Sequence, residues 1–428
     1  MNPPRGMRDF LPAEKARREA ILSAIRRSYR AHGFEEIETP VAEDSDRLHA
    51  GLGGDNEQLA FGILKRGEDF ERALPGAKSP LDLADLGLRY DLTVPLARFY
   101  ATHRAELPSP FRAIQIAPVW RAERPQKGRY RQFVQCDIDM IGEAGPLAEV
   151  ELLTATAATL RTLGIGGFTI RVNDRRLLVA MLDVLGFAPE ERDGVLITMD
   201  KLDKVGVDGV VVELEQRGAT LSAVEALRAF LVRPQTREFL PFGEAQIRKE
   251  LPRELDHPAI AELAAIGEAV QAASGADLFD GLVRYDPWLV RGMGYYTGPI
   301  FEVVHPDLGY SFGGGGRYDG MIGRFLGEDV PAAGVSLGFE RLVDLVPLAD
   351  ETRERAIAIV YDRDAAPALV VAARDRFVAE DRPVRLVRRP RNLARTLDRL
   401  AADGVHEFVL LEPGIDPARL EPRPLETR

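Results

Sequence analysis

Residues 121–133, RAERPQKGRYRQF, concentrate positive charge around a turn, although the whole chain has a formal net charge of -11. Five basic side chains lie in this stretch, at Arg121, Arg124, Lys127, Arg129 and Arg131. The stretch has one acid, Glu123, and ends on an aromatic residue, Phe133. Guanidinium groups hold phosphate oxygens in bidentate pairs, and an aromatic ring offers a surface on which a base stacks. These residues predict a nucleotide site, with a solvated charged hairpin as the alternative.

The elements that must position these side chains are two strands around the turn at RPQKG, predicted over AIQIAPVWRAE and RYRQFVQCDIDMIG. Side chains of a strand alternate between its two faces. One face of the second strand is polar and aromatic, with Arg129, Arg131, Phe133, Gln135, Asp137 and Asp139. The other face is apolar and is predicted to be core, with Val134, Cys136, Ile138 and Met140.

The composition is that of a soluble globular protein, with 45% hydrophobic and 29% charged residues. A chain of 428 residues is longer than a single hydrophobic core usually supports, which predicts two or three domains. No apolar run approaches the roughly 20 residues of a membrane span, so no membrane partner is expected. The acidic balance argues against a protein that coats nucleic acid without selectivity, but it allows a local basic surface.

Cysteine and histidine usage limits the redox and metal chemistry. Cys136 is the one cysteine, which excludes a disulfide within the chain and fits a reducing compartment, so we predict a cytoplasmic protein. The six histidines are scattered without the spacing of zinc ligands, and no metal is assigned to protein side chains.

Residues 13–32 have the apolar spacing of an amphipathic helix, which Gly33 ends, and FEEIETP then predicts a short strand. Residues 195–275 are rich in Ala, Glu and Leu and predict a helical insertion. Strands with glycine return over 276–345 and end in a helix at ERLVDLV. Strands and helices alternate over 351–428, which predicts a small α/β domain.

Several stretches together resemble the histidyl-tRNA synthetases, a family of class II aminoacyl-tRNA synthetases. ERPQKGRYRQF resembles motif 2 of that class, GFEEIETP its motif 1 and GVSLGFERL its motif 3. LRYDLTVPLARFYA is similar to the family's histidine-binding segment, and LVRGMGYYTGPIFEV to its motif RGLDYYTG. The stretches occur in the family's order and span about residues 3–345.

The resemblance implies an α+β fold, in which a class II synthetase-type antiparallel sheet forms the catalytic domain. It also implies a helical insertion and a small C-terminal α/β domain. The implied boundaries are 1–190 for the first part of the catalytic domain, 191–275 for the insertion, 276–345 for the second part and 351–428 for a shortened anticodon-binding-like domain. GGGGRYDG lacks the Gly-Lys-Ser/Thr ending of a P-loop, so we interpret it as a strand that lets a substrate approach the backbone.

The implied activity is activation of histidine by ATP with Mg²⁺, followed by transfer of histidine to the 3′ end of tRNA(His). By motif position, the ATP-binding residues would be Arg121, Glu123, Arg129, Phe133 and Arg341. Glu123 would contact the adenine edge, Phe133 would stack on the adenine ring, and Arg129 would reach the terminal phosphates.

The implied catalytic residues are arginines. Arg121 and Arg291 would hold the α-phosphate from opposite sides, and Arg341 would clamp the nucleotide with help from the start of its own helix. In-line attack of a carboxylate on a phosphate needs positioning and positive charge more than an acid or a base.

The implied histidine-binding residues are Asp91, Thr93, Gln135, Asp139, Arg291, Tyr295, Tyr296 and Tyr318. Asp91 would supply the anion that the ammonium group of histidine needs. A neutral imidazole carries one donor and one acceptor, and Asp139 can take its N–H while tyrosine hydroxyls complete the pocket.

Two departures from the family pattern stand out. Gly294 replaces the aspartate of RGLDYYTG, from which we expect a looser strand with the arginine and tyrosines retained. The tail ends at PRPLETR, where a final helix would follow in the family, so the resemblance to the anticodon-binding domain covers only the middle of that domain, at RNLARTLDRLAADGVHEFVLLEPG. Motif 1, ending in Pro40, implies a homodimer, because the element would otherwise leave an apolar edge exposed.

Two other functions fit parts of the pattern. A histidine-sensing regulatory subunit of ATP phosphoribosyltransferase is a relative of these synthetases, but that branch loses catalytic arginines that are present here. An adenylating paralogue that does not charge tRNA fits the shortened tail.

Overall fold

The computed structural model describes residues 1–52, 59–126, 128–233, 242–275, 281–291, 294–347, 356–412 and 414–425. The chain forms two compact units. The first comprises Met1–Asp9 and Ile21–Pro347, and the second Phe10–Ala20 and Leu348–Arg428. Within the described ranges, no helix combines the length and the hydropathy of a membrane span.

The strands of the first unit are β1 (Glu35–Glu36), β2 (Ala42–Asp44), β3 (Phe61–Leu64), β4 (Ala84–Leu88), β5 (Phe111–Trp120), β6 (Gln132–Ile141), β7 (Thr169–Asp174), β8 (Val283–Tyr285), β9 (Pro299–Val304), β10 (Gly313–Arg317) and β11 (Ala332–Gly338). Eight of them form one sheet in the order β1-β5-β6-β11-β10-β9-β7-β8. Neighbours are antiparallel from β5 through β7, and the two outer pairs, β1 with β5 and β7 with β8, are parallel. A smaller sheet has the order β2-β4-β3.

The helices that lie before residue 347 are α1 (Pro12–Ala31), α2 (Ser45–Leu52), α3 (Gly67–Ala73), α4 (Thr93–His103), α5 (Leu147–Thr162), α6 (Arg175–Leu185), α7 (Arg192–Met199), α8 (Leu202–Gln216), α9 (Leu221–Leu231), α10 (Glu244–Glu250), α11 (Ala259–Ala273), α12 (Asp319–Leu326) and α13 (Phe339–Leu342). Helices α7 to α11 lie in the stretch that the sequence predicted to be helical.

Alternation along β6 separates the core from a polar surface, as predicted. Cys136, Ile138 and Met140 are fully buried among the apolar side chains of the first unit. Helix α5 packs on this side of β6 and β11. The opposite side of β6 carries Gln135 and Asp139, which the neighbouring strands leave open to a cavity. The period of two therefore fixes which side chains can form a site.

Two predicted elements are shorter than expected. The strand expected over FEEIETP is the two-residue β1, which pairs with β5. The helix expected over ERLVDLV is α13, which has four residues and ends at Leu342. The backbone N–H of Val343 still donates to the carbonyl oxygen of Phe339, but that of Leu345 donates to Leu342, three residues back, so the chain turns there instead of continuing the helix.

The second unit has the alternating elements that the sequence predicted. They are β12 (Ala356–Tyr361), α14 (Pro367–Val378), β13 (Val384–Arg388), α15 (Leu393–Ala402), β14 (Val405–Leu411) and β15 (Arg423–Pro424). The sheet order is β13-β12-β14-β15, and the first two pairings are parallel, as in α/β units. Ile357, Ile359, Phe377 and Val409 form its core. Burying an aromatic side chain such as that of Phe377 stabilises the unit by roughly 1.5–3 kcal/mol.

Candidate active site

A cavity of about 840 Å³ lies over the polar side of the large sheet in the first unit. All of the predicted site residues line this one cavity: Asp91, Thr93, Arg121, Glu123, Arg129, Phe133, Gln135, Asp139, Arg291, Tyr295, Tyr296, Tyr318 and Arg341. They come from segments as far apart as β4 and α13.

The basic turn at one end of the cavity begins with Arg121, directly after β5. Its Nε donates to the carbonyl oxygen of Tyr90 at 3.2 Å, and its guanidinium lies 4.3 Å from the centre of the Tyr90 ring. The Phe133 ring centre is 5.1 Å from the same guanidinium. Arg129 pairs with Glu123 at 3.3 Å. A cation between two aromatic rings is held in place without losing its charge.

The remaining basic residues of the turn differ in position. Arg124 lines the cavity. Arg131 instead donates its Nε to the carbonyl oxygen of Glu123 at 3.1 Å, which stabilises the turn itself. Lys127 lies outside the described residues.

Arg341 approaches the turn from the other side of the cavity. Its Nε donates to the carbonyl oxygen of Gly128 at 2.9 Å and its Nη1 to that of Ser311 at 2.5 Å. Burial and then the nearby Arg129 lower the pKa of Arg341. A cation whose pKa is lowered by burial and by a neighbouring cation favours a bound anion. Arg341 is the third residue of the four-residue α13, and so lies in the first turn of that helix.

Arg291 is held beside strand β9. Its Nη1 lies 3.6 Å from Glu302 Oε1, and Glu302 also pairs with Arg171. Glu302 sits opposite Gly314 of β10, and Gly314 opposite Ser336 of β11. The glycine-rich GGGG stretch is strand β10, as predicted, and three of its glycines line the cavity.

Asp91 follows β4 and is 2% exposed. Its Oδ1 accepts from the backbone N–H of Val94 at 3.2 Å. Its Oδ2 is buried and has no hydrogen-bond partner in the part of the chain that the structure describes. Burial raises the pKa of Asp91, and the backbone N–H of Val94 lowers it in part. A buried carboxylate oxygen of this kind suits a cationic ligand, because a bare charge is costly to bury.

Asp139 occupies the middle of β6 and is 4% exposed. The hydroxyl of Tyr318 donates to its Oδ1 at 2.5 Å. Burial raises the pKa of Asp139 to about 7, although the bond from Tyr318 acts in the opposite direction. The ring centres of Tyr295 and Tyr318 are 6.1 Å apart, and those of Tyr295 and Tyr296 4.8 Å. Three buried tyrosines and a carboxyl thus form a pocket for a small polar ring.

Gln135 links the arginine end of the cavity to the acidic residues of β6. Its Oε1 accepts from Arg121 Nη2 at 3.4 Å, and its Nε2 donates to Ser336 Oγ at 2.6 Å and to Asp137 Oδ2 at 3.4 Å. Asp137 is 4% exposed, and burial followed by the charge of Asp139 raises its pKa well above the usual range. Sequence alternation placed Asp137 on the polar face but assigned it no role.

Sequence reasoning also missed a group of cavity residues on and beside helices α6 to α8: Arg175, Asp193, Asp200, Lys201 and Lys204. Lys201 pairs with Glu213 at 2.7 Å and Arg175 with Asp193 at 2.8 Å. The charged stretch DKLDK, residues 200–204, could have indicated these cavity residues. Charges on such a helix usually lie on its solvent-exposed face, so the sequence assigned them no role.

Gly294 lies in a turn rather than in the expected strand, and it lines the cavity. A Cβ built there would have no heavy atom within 4 Å, so an aspartate at this position would fit sterically. In the described ranges, no group of three His, Cys, Asp or Glu side chains is placed to hold a metal ion.

An antiparallel sheet with arginines from three separate segments around one cavity defines a class II aminoacyl-tRNA synthetase. The sequence model of the family described as histidyl-tRNA synthetase matches residues 6–342. The chain belongs to the histidyl-tRNA synthetase family.

Individual relatives agree with this assignment. A protein of Leifsonia xyli subsp. xyli named histidine–tRNA ligase is 55% identical over 432 residues, covering 99% of this chain and 98% of the relative. The crystal structure of histidyl-tRNA synthetase from Nostoc sp. PCC 7120 superimposes with a TM-score of 0.72 at 26% identity, covering 96% and 91% of the two chains.

A Bacillus halodurans structure described as an ATP phosphoribosyltransferase regulatory subunit/histidyl-tRNA synthetase has the same TM-score, 0.72, at 21% identity, and covers 93% of this chain and 96% of its own. That likeness concerns the fold alone. Choosing between an enzyme and a regulator therefore depends on the residues in the cavity.

Proposed function

We propose that this protein is a histidine–tRNA ligase that forms histidyl-adenylate from histidine and ATP and transfers histidine to the 3′ end of tRNA(His). One observation carries the proposal: a single cavity combines arginines at Arg121, Arg291 and Arg341 with the buried carboxyls of Asp91 and Asp139. The arginines match a polyphosphate, and the carboxyls match a ligand with an ammonium group and an N–H on a ring.

The ATP half of the cavity is the end with the basic turn. Phe133 would stack on adenine, Glu123 would accept from its amino edge, and Arg129 with Arg341 would hold the terminal phosphates. The mutual repulsion of Arg129 and Arg341, which contributes to the lowered pKa of Arg341, supports an anion between them. Arg121 would contact the α-phosphate.

The histidine half lies around Asp91 and Asp139. The ammonium group would bond the buried Oδ2 of Asp91, with the Thr93 hydroxyl and the Gln135 carbonyl as further acceptors. The imidazole N–H would bond Asp139, and Tyr296 would complete the ring pocket with Tyr295 and Tyr318. Arg291 would approach the α-phosphate opposite Arg121, where negative charge grows as the carboxylate attacks.

Mg²⁺ is assigned to the triphosphate rather than to a protein carboxylate cluster. Glu302, the acid nearest to Arg291, is engaged with Arg291 and Arg171. When bound, Mg²⁺ would neutralise phosphate charge, and the triphosphate and water would supply ligands to it.

The second unit is proposed as an anticodon-binding-like domain over 351–428, in a chain with catalytic parts 1–190 and 276–345 and an insertion over 191–275. Its Arg-rich stretch RLVRRPRNLART would contact tRNA phosphates. A homodimer through the motif 1 region and a cytoplasmic location, consistent with the buried thiol of Cys136, belong to the same proposal.

Two assays on the purified full chain test the proposal. We expect histidine-dependent exchange of labelled pyrophosphate into ATP, and charging of total tRNA with labelled histidine. Exchange without charging would favour the adenylating paralogue. Histidine binding without exchange would favour the regulatory subunit, which the presence of Arg121, Arg129, Arg291 and Arg341 argues against.

A further inference from the structure

The N-terminal strap, which we define as Pro4–Asp9, lies against the basic turn of the first unit. The carbonyl oxygen of Gly6 accepts from the backbone N–H of Arg131 at 2.8 Å. Gly6 has φ +83, and a Cβ built there would lie 2.8 Å from both Arg131 Cγ and Pro125 Cγ. Contact this close, in a backbone region that favours glycine, shows that the strap is fitted to the turn.

Arg8 of the strap contacts two segments of the ATP half at once. Its guanidinium carbon lies 3.9 Å from the ring centre of Tyr130, and its Nη2 pairs with Glu340 Oε2. The Glu340 side chain is 5% exposed and also accepts from the backbone N–H of Val134 at 3.4 Å. Glu340 directly precedes Arg341. One side chain thus joins the turn to the segment that carries the opposing arginine.

The turn needs such support because it extends beyond the regular sheet. Strand β5 ends at Trp120 and β6 begins at Gln132. Beyond the strands, the backbone N–H of Arg121 donates to the carbonyl oxygen of Arg131 at 2.9 Å. Within the turn, Gln126 and Arg129 form an isolated bridge. Arg129 and Arg341 also repel one another until an anion arrives. Contacts from outside the hairpin must therefore help to keep the two arginines facing one site.

We propose that Arg8 is a positioning residue for the nucleotide site, holding the turn 121–131 against Glu340 so that Arg129 and Arg341 face the same phosphate group. This role rests on the proposed function. Arginine suits it because a planar guanidinium stacks on an aromatic face while its edge bonds a carboxylate, which the ammonium group of lysine cannot do together.

The test uses the full-length protein in histidine-dependent pyrophosphate exchange, with Arg8→Ala, Arg8→Lys and the exposed Arg5→Ala as matched control. For Arg8→Ala we expect KM for ATP to rise at least about fivefold, from loss of a cation–π contact and an ion pair to a buried acid. KM for histidine should stay within about twofold, since the strap contacts the ATP half. Arg8→Lys should fall between Arg8→Ala and the parent, and Arg5→Ala should match the parent.

A double-mutant cycle with Glu340→Gln separates positioning from general stability. If Arg8 acts through Glu340, adding Arg8→Ala to Glu340→Gln should raise KM for ATP less than Arg8→Ala does alone. Equal increases in both KM values, or a lower melting temperature with an unchanged KM for ATP, would overturn the proposal. If Arg8→Ala does not fold, the Arg8→Lys result decides in the same way.

Different results would contradict the proposed function and the positioning role of Arg8. Absence of exchange in the parent protein contradicts the proposed function. A parent with exchange whose KM for ATP is insensitive to Arg8 contradicts only the positioning role.

Discussion

Tyr318 donates its hydroxyl hydrogen to Asp139 Oδ1 at 2.5 Å, and this bond joins the middle of β6 to the residue that precedes α12. Both side chains are buried. Because burial raises the pKa of Asp139 to about 7, the carboxyl changes its protonation state near neutral pH, where the site must recognise its ligand.

Histidine affinity should increase as pH rises from about 6 to 8, because only the ionised Asp139 is a pure acceptor for an imidazole N–H. Calorimetry at pH 7 in buffers of different ionisation enthalpy should show proton release on binding. Asp139→Asn should bind histidine more weakly and lose that release, whereas the exposed Asp307→Asn should retain both. Proton release unchanged in Asp139→Asn would contradict this assignment.

The raised pKa of Asp139 also makes the free energy of unfolding depend on pH. Between the usual pKa of 3.8 and about 7, the folded state holds the Asp139 proton and the unfolded state does not. Asp139 therefore lowers the free energy of unfolding as pH rises through that interval. Asp139→Asn should show a smaller loss of melting temperature between pH 5 and 8 than the parent, as measured by calorimetry.

Asp91→Asn should weaken histidine binding and leave ATP binding unchanged. The lost charge-assisted bond to the ammonium group is worth about 1.5–3 kcal/mol, or roughly 10- to 100-fold in affinity. The melting temperature should stay equal or rise, because the substitution removes a buried charge whose Oδ2 has no partner in the described residues. Titration with each ligand and a thermal melt test both parts. Equal losses for histidine and ATP would point to a structural role.

Arg291→Ala should leave histidine binding nearly intact but reduce pyrophosphate exchange by roughly a hundredfold or more, the effect of removing one preorganised donor to transition-state charge. Arg104→Ala provides the matched control, because Arg104 pairs with Glu328 in an exposed position. An exchange rate for Arg291→Ala within a few-fold of the parent would remove Arg291 from the catalytic set.

Gly334→Ala should abolish the histidine pocket while preserving the nucleotide half. Gly334 lies opposite Asp139 in the β6–β11 ladder, and a Cβ there would lie 1.9 Å from Asp139 Oδ1. The carboxyl must move away from Tyr318, at a cost of about 1–3 kcal/mol typical of overpacking. Gly309→Ala, where a Cβ meets no heavy atom within 4 Å, is the control. Histidine titration and a thermal melt on both variants provide the measurement.

Much of the site followed from local patterns in the sequence. The alternation along residues 129–140 correctly separated Gln135 and Asp139 from the buried Ile138, because the strand period is set by backbone geometry. The motif resemblance brought Asp91 and Arg291 into the candidate set. Helix ends and strand lengths were less well predicted, as α13 shows, since tertiary contacts decide where an element stops.

Sequence motifs alone identify the family, the α+β class and the side chains available for phosphate and histidine. Only the tertiary structure brought these side chains together. Asp139 meets Tyr318, and Arg121 shares a cavity with Arg341, because β6 pairs with β11, which lies about 200 residues later in the sequence, and β11 pairs in turn with β10. Such pairing depends on the packing of the whole sheet, which no local spacing encodes. The burial of Asp91 and the ion pair of Arg8 with Glu340 depend on tertiary packing in the same way.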